Sequence, residues 1–487
     1  MRKYNIYNPV IYTILLLAVT LSSCSNWLTI APENNLIKSK FWTKTEDVNS
    51  ALAATYDAFR SAGLESFIWG ELRADMATFG GGPFSDYARI AGSDISPTNG
   101  KVNWNNYYKS INLANTLMYY DNEVLAKDKT FTPKMKDGVD AEALFIRSLS
   151  YFYLVRIWKD VPLVIEPSLS DTSNLYLKKS PENVVLDQII KDLLKAKDLA
   201  YTTEYRGDAS HPGYFNGRAN KYSIMALLAD VYLWDQQYQK CIDYCDSITN
   251  TGFFSLEPSS TWFNLYNPGN SPVESIFEMQ YNDDLENQEN PIYNDLIPTG
   301  GTSNLKLSKN VAIVFNKEDL RLCDANTPIW KYKGLDISSA VGRNGSQRSA
   351  NFIYYRYADM ILMKAEAQTE LNNIGEANAL VRETLDRAGM SFEDVASKEN
   401  MRKAVLDERA REFIIEGKRW FDLLRAAKRN HFENKQLIID MILSGADIKQ
   451  QAVLRTKVYD TLSYYLPIPE HEIIYNQNLV QNPFYNR

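Results

Sequence analysis

The sequence predicts a mainly α-helical protein in which paired helices form a scaffold and a large loop-rich segment interrupts them. Three observations carry that prediction. Apolar residues recur at helical spacing through much of residues 41–249. Small and large residues alternate along two pairs of neighbouring segments, at 218–249 and 357–388. Residues 251–350, by contrast, are rich in Asn, Pro, Gly and aromatics and show little helical period.

Phe41 to Arg60 reads as the first helix of the body. Thr45 is a capping residue type, Glu46 and Asp47 suit a first turn, and Ala51, Leu52, Thr55, Tyr56 and Phe59 recur on one side. Residues 66–78 read as helix again. Gly80 to Lys101 holds many Gly, Ser, Pro and Asp residues and is predicted as a long loop, the kind of segment that often carries function. Its Gly80-Gly81-Gly82 run is followed by Pro83 and lacks the Lys-Ser/Thr partner of a phosphate-binding loop.

Helices follow at 104–126, 137–158, 181–200, 218–235 and 238–249. Only Asp235 to Tyr238 separates the last two, so they form a hairpin. Its pattern is Ala219, Tyr222, Ala226, Ala229, Tyr232, then Tyr238, Cys241, Tyr244 and Ile248, which is the tetratricopeptide style of packing. Tyr357–Leu371 and Gly375–Ala388 form a second pair of this kind. Ser275–Gln280 is a strand candidate inside the irregular segment. A helix over Met401–Lys428 and a loop-rich C-terminus with Leu466-Pro467-Ile468-Pro469 complete the chain.

The 487 residues are 45% apolar, enough to bury a large core. The net charge is −7 and no basic block is present, which excludes binding to nucleic acid by phosphate neutralisation. Cys241 and Cys245 share a helix face, but no further Cys or His lies near them in sequence. Cys323, His211, His431 and His471 are scattered. This pattern suits small buried core residues and gives no metal site, disulfide framework or cofactor.

The N-terminus has the layout of a secretion signal. Arg2 and Lys3 precede an apolar run from Val10 to Leu21, which is too short to span a bilayer. Leu21-Ser22-Ser23-Cys24 then resembles a bacterial lipobox. That resemblance implies that residues 1–23 are removed, that Cys24 is lipidated, and that residues 24–40 form a tether. The alternative is an ordinary secretion signal in which Cys24 plays no part. No second run is long enough to cross a membrane, so a lipid on Cys24 would be the sole anchor.

Ordered motifs run through the rest of the chain. They begin with Trp27-Leu28-Thr29-Ile30-Ala31-Pro32-Glu33-Asn34, Phe41-Trp42, and Tyr56 with Arg60. Glu142 to Leu163 is the strongest single stretch, followed by Ser180-Pro181 and Gly217-Arg218-Ala219. Then come Glu274-Ser275-Ile276-Phe277-Glu278, Tyr355 to Asp359, Asp407 to Phe413, Gly417 to Leu423, Leu466 to Pro469, and Gln481-Asn482-Pro483. In this order they resemble the SusD/RagB family of surface nutrient-binding lipoproteins. The resemblance implies an N-terminal region at 41–250 and a C-terminal region at 251–487, packed as one globular unit. It implies a scaffold of tetratricopeptide-like helix pairs and a loop-rich half that binds ligand. It further implies a non-enzymatic protein on the outer face of the outer membrane. Such a protein captures oligosaccharide and delivers it to a SusC-like, TonB-dependent transporter.

Glu408, Glu412 and Glu416 recur every four residues on one predicted helix, the kind of row from which an acid and base pair is drawn. Arg409, Arg411, Lys418 and Arg419 are interleaved with them, which favours structural ion pairs. Arg356, Asp359, Arg147 and Arg156 are read in the same way, as charges tying helices together. The chain also carries 31 Tyr and 9 Trp residues. Aromatic rings in loops, beside hydrogen-bonding groups, are what a sugar-binding surface requires. The candidates are Phe84 and Tyr87 beside Asp86, then Tyr281, Asn282, Asp283 and Asp284, and finally Tyr293 and Trp330 near Asn294 and Lys331. Trp104, Trp158, Trp262 and Trp420 lie in motif or helical contexts and are assigned to the core. Two other functions fit the same sequence: a transporter lid for peptide or another nutrient with little sugar affinity, and a surface glycosidase.

Overall fold

The computed structural model describes residues 41–82, 84–169, 176–203, 213–266, 271, 273–282, 289–295, 304–316, 318–321, 331, 348–446 and 448–486. The signal and tether (1–40), and with them Cys24, lie outside the described residues. So do His211, Asp283, Asp284, Cys323 and Trp330.

Helices Thr45–Arg60 (α1), Asn105–Lys127 (α2), Pro133–Trp158 (α3), Glu182–Leu199 (α4), Lys221–Trp234 (α5) and Tyr238–Thr249 (α6) each pack on the next. The relay continues through Tyr357–Glu370 (α7), Ile374–Arg387 (α8) and Lys398–Glu412 (α9). Every residue of α3 from Gly138 to Trp158 is buried, as an apolar helix with neighbours all round must be. Thr132 caps it and Pro133 opens it, so it starts one turn before the predicted 137.

The two predicted hairpins share one turn design. Gln236 and Asn372 both adopt positive φ, at 59° and 66°. The amides of Gln237 and Asn373 then donate back to the carbonyls of Tyr232 and Gln368, each at 2.8 Å. Cys241 and Cys245 are buried in the first hairpin as free thiols, in the core role read from the sequence.

Several expected elements differ. Thr45 does not cap α1. Its hydroxyl donates to Asp128 at 2.7 Å, and Asp47 accepts the Thr43 and Lys44 amides instead. The helix expected at 66–78 is a short α-helix, Gly63–Phe67, that continues as a π-turn over Ile68–Leu72. Ala77–Phe79 then forms strand β1. The loop at 80–101 contains a short helix, Asp86–Ala91. Ser275–Met279 (β2) is the strand foreseen. Leu305–Leu307 (β3) pairs antiparallel with β1, and Phe352–Arg356 (β4) pairs with β2. The C-terminus is more helical than expected, with Gln436–Gly445, Ile448–Val458 and Glu470–Tyr475.

The helix expected over Met401–Lys428 is broken. It consists of α9 and Arg419–Phe432 (α10), joined by a turn in which Ile415 and Gly417 have φ of 59° and 73°. Breaking a helix frees its last carbonyls, which must find donors. Here Arg356 donates to the Glu412 carbonyl at 2.8 Å and Lys331 to that of Ile414 at 2.9 Å. Both cations also suit the negative end of the helix dipole. The turn packs backbone to backbone on the π-turn, where a Cβ at Gly70 would stand 1.7 Å from the Gly417 carbonyl oxygen.

Glu408, Glu412 and Glu416 therefore do not share one helix, but they do share one buried cluster. Arg356 is fully buried and bonds to Glu274 at 2.6 Å, to Glu412 at 2.6 Å and to both oxygens of Glu416 at 2.9 and 3.1 Å. Arg321 bridges Glu408 and Glu412 at 2.6 and 2.8 Å, and Arg387 joins Glu412. Burial pushes the Glu412 carboxyl up, but Arg387, Arg356 and Arg321 outweigh it and hold the group well below its usual range. Arg147 and Arg156 tie helices as expected, reaching Asp192 at 2.7 Å and Asp230 at 3.4 Å.

Two outcomes follow for stability. Removing one partner of a buried ion pair leaves the others unpaired, so Arg356→Ala should cost about 3–5 kcal/mol in urea unfolding. A loss under about 1 kcal/mol, the scale of an exposed pair, would show that the cluster is not holding the fold. Glu71 supplies the second. It is buried, accepts the Gly417 amide at 3.0 Å, and burial pushes its carboxyl up to about 8. A raised acid pKa gives stability that is full below the unfolded value near 4.3 and is lost as pH rises toward 8. Glu71→Gln removes that loss, so its melting temperature should gain on the parent as pH is raised from 5 to 9. A constant difference across that range would contradict the assignment.

Candidate functional site

Tyr281 and Asn282 follow β2 after Gln280. The Tyr281 amide donates to Asn351 Oδ1 at 3.1 Å, and Asn351 in turn donates to Glu278 at 2.7 Å, so the strand end is fixed. The Tyr281 ring lies half-buried beside Arg60, whose guanidinium is 5.8 Å from its centroid. Burial pushes the Tyr281 hydroxyl pKa up, with Arg60 opposing it. A Cβ at Gly63 would stand 3.1 Å from that hydroxyl, so the ring lies against helix backbone. Asn282 is exposed.

Arg60 also lines a cavity of about 720 Å³, together with Asn49, Tyr56, Asp57, Arg218 and Gln280 among others; Tyr281 and Asn282 stand at its edge through Arg60 and Gln280 and are not themselves lining residues. Helix α1 supplies the first four, and with Leu52 and Ala53 they fall at i, i+3, i+4, i+7, i+8 and i+11, so they share one face of it. Arg60 pairs with Asp57 at 2.6 Å. Below them is a closed polar unit. The Tyr56 hydroxyl donates to Glu142 at 2.6 Å and accepts the Ala219 amide at 2.8 Å, while Arg218 grips both Glu142 oxygens at 2.6 and 3.0 Å. A Cβ at Gly217 would stand 2.8 Å from the Gln280 amide, so the Gly217-Arg218-Ala219 motif lets β2 approach. Rigid polar groups around a recess suit a ligand with many hydroxyl or amide groups.

Phe84 and Tyr87 belong to a separate surface. Phe84 is 86% exposed. Tyr87 is half-buried, packs at 5.2 Å on Phe79 and has the Lys101 ammonium 4.6 Å from its ring centroid. Asp86 clasps the loop by accepting the Gly100 amide at 3.0 Å. Neither ring lines the cavity beside Tyr281.

Tyr293 requires a correction. It is only 1% exposed and joins the main core, so its ring packs against the body and is not a stacking face. Trp104, Trp158, Trp262 and Trp420 are buried as expected. The sequence reading missed Asp57, Asn49 and Gln280. The signal for the first two was a polar stripe on α1, which reads like any solvated helix face. Among the described residues, no group of three His, Cys, Asp or Glu side chains is arranged to hold a metal ion. None of the described helices is long and apolar enough to cross a membrane.

Comparison with known proteins gives matches across the chain. Residues 224–485 match the model of the SusD family, and residues 81–233 match one described as starch-binding associating with outer membrane. SusD-like protein P38 of Formosa agariphila is 25% identical, covering 86% of this chain and 91% of its own. SusD-like protein P2 of the same organism is also 25% identical, covering 99% of both chains. A SusD superfamily crystal structure from Bacteroides thetaiotaomicron superposes with a TM-score of 0.73 at 22% identity, covering 91% of this chain and 99% of its own. A SusD homolog from that organism gives 0.74 at 19% identity, covering 91% and 98%. These structures share the mainly helical fold, and with one family model spanning more than half of its length, the chain belongs to the SusD family.

Proposed function

We propose that this protein is a lipid-anchored, non-enzymatic capture protein at the outer membrane surface. It binds oligosaccharide and passes it to a SusC-like, TonB-dependent transporter. Membership of the SusD family is the observation that carries this reading. The match of residues 81–233 to a starch-binding, outer-membrane-associating family supports it. Cys24 is the proposed lipidation site and anchor.

The glycan is proposed to lie against Tyr281 and Asn282, with Arg60, Asp57 and Gln280 serving its hydroxyls. Asp283 and Trp330, which lie outside the described residues, are kept as further proposed contacts, and Phe84 with Tyr87 as an outlying platform. Ring stacking holds the apolar face of a sugar, and charged side chains make the stronger hydrogen bonds. Glu408, Glu412 and Glu416 are consumed in ion pairs with Arg321, Arg356 and Arg387, which speaks against their use as a glycosidase acid and base. The charged pair Arg60–Asp57 supports a second reading, a lid that holds a peptide by its termini.

Calorimetry of the soluble body from Ser25 onward against glycan and peptide panels separates these readings. Binding of a glycan is expected, with Tyr281→Ala and Arg60→Ala each weakening it about ten-fold. Binding of peptides alone would favour the second reading, and unchanged glycan affinity in both variants would defeat the site. In cells, Cys24→Ala should move the protein out of the membrane fraction. Retention there would defeat the anchor.

A further inference from the structure

A second groove lies elsewhere on the surface and shares no lining residue with the cavity beside Tyr281. It encloses about 420 Å³, within the range of small-ligand sites. Its floor is Trp104 and Tyr108, packed edge to face at 5.5 Å. Its rims carry Tyr176 and Tyr475, which are 61% and 75% exposed. Exposed tyrosines on opposite chain segments of one groove are unusual in a protein that buries most of its rings.

The walls are fixed before any ligand arrives. Asn478 donates to the Tyr176 carbonyl at 2.8 Å and Asn476 to that of Leu177 at 2.9 Å, so the two rim segments are stitched together. The Tyr108 hydroxyl donates to the Pro162 carbonyl at 2.8 Å, and the Val164 amide donates to the Tyr151 hydroxyl at 2.6 Å, which pins the third wall. A preformed site loses little entropy on binding.

The charge of the lining selects the ligand class. Among the described lining residues Glu472 is the one acidic or basic side chain, and Asn105, Ser168 and Asn476 are neutral polar ones. With no Lys or Arg among its described lining residues, the groove disfavours phosphate, sulfate and uronic acids. Glu472 Oε1 has His471 Nε2 at 3.4 Å, which leaves Oε2 to accept from a sugar hydroxyl, and the tyrosine rings suit the apolar face of a pyranose. We propose that this groove is a second saccharide site, taking a neutral sugar through stacking on Tyr176 and Tyr475 and hydrogen bonds to Glu472 and Asn105. The ligand class rests on the function proposed above, but the location does not. Two separate sites on one body would let a long glycan bind with avidity.

The test uses the full-length protein in detergent with neutral hexose and pentose oligosaccharides and with a uronic-acid oligosaccharide. Binding is followed by calorimetry, and tyrosine nitration is mapped by mass spectrometry. Tyr119 and Tyr459, 52% and 51% exposed and outside the groove, serve as internal controls. A neutral glycan that binds should slow nitration of Tyr176 and Tyr475 several-fold while the controls are unchanged. The surface double variant Tyr176→Ala/Tyr475→Ala should lose about ten-fold in affinity for the longer glycan. Glycan binding with no protection and an unaltered double variant would overturn the groove and leave the site at Tyr281 standing. Better protection by the uronic-acid glycan would overturn the neutral class. Failure of every glycan to bind would overturn both this site and the proposed function.

Discussion

The fold turns on a buried arginine. Arg356 ends β4, opens α7 and meets Glu274 from the start of β2, Glu412 from the end of α9 and Glu416 from the turn beyond it. Three stretches distant in sequence, at 274, 356 and 412–416, thus meet at one guanidinium. A planar fork with five donors can do this, whereas a lysine ammonium cannot. The charges are expensive to bury, so the arrangement holds only when all partners are present. Arg321, Arg387 and Lys331 complete the set around the same carboxylates.

That constraint reaches the candidate site through the sheet. Holding Glu274 and Arg356 together fixes β2 against β4. β2 leads directly into Gln280 and Tyr281, while α1 brings Arg60 and Asp57 to the other side. Helix α1 is itself held by Tyr56 and Arg218 on Glu142. The polar groups facing the cavity are therefore mounted on buried supports, and the long loops are free to vary around them.

The sequence made the hairpins legible because their packing is local. Tyr232 stacks on Tyr244 at 5.7 Å within one short stretch, and the turn needs only a residue tolerant of positive φ. The break at Ile415–Gly417 was not legible. The run from Met401 to Lys428 is locally helical, and the cations that stabilise the freed carbonyls come from residues 331 and 356. The pairing of Ala77–Phe79 with Leu305–Leu307 is equally non-local. The C-terminal helix Gln436–Gly445 was missed although Ile438, Ile439, Ile442 and Leu443 sit at helical spacing, because the segment is short. At the site, Tyr281 stood out by following a strand motif. Tyr293 misled because an aromatic in an irregular segment can still be core. Asp57 was hidden in an ordinary polar helix face.

The account claims that a rigid, charge-locked scaffold presents a ligand surface between α1 and the end of β2. Hydrogen exchange measured with and without a bound oligosaccharide tests this most directly, because it reads the whole backbone at once. The account predicts slower exchange in residues 49–60 and 278–282 when ligand is present. It also predicts that residues 408–416 are slow to exchange in both states. Ligand-dependent change at 408–416, with none at 49–60 or 278–282, would contradict it.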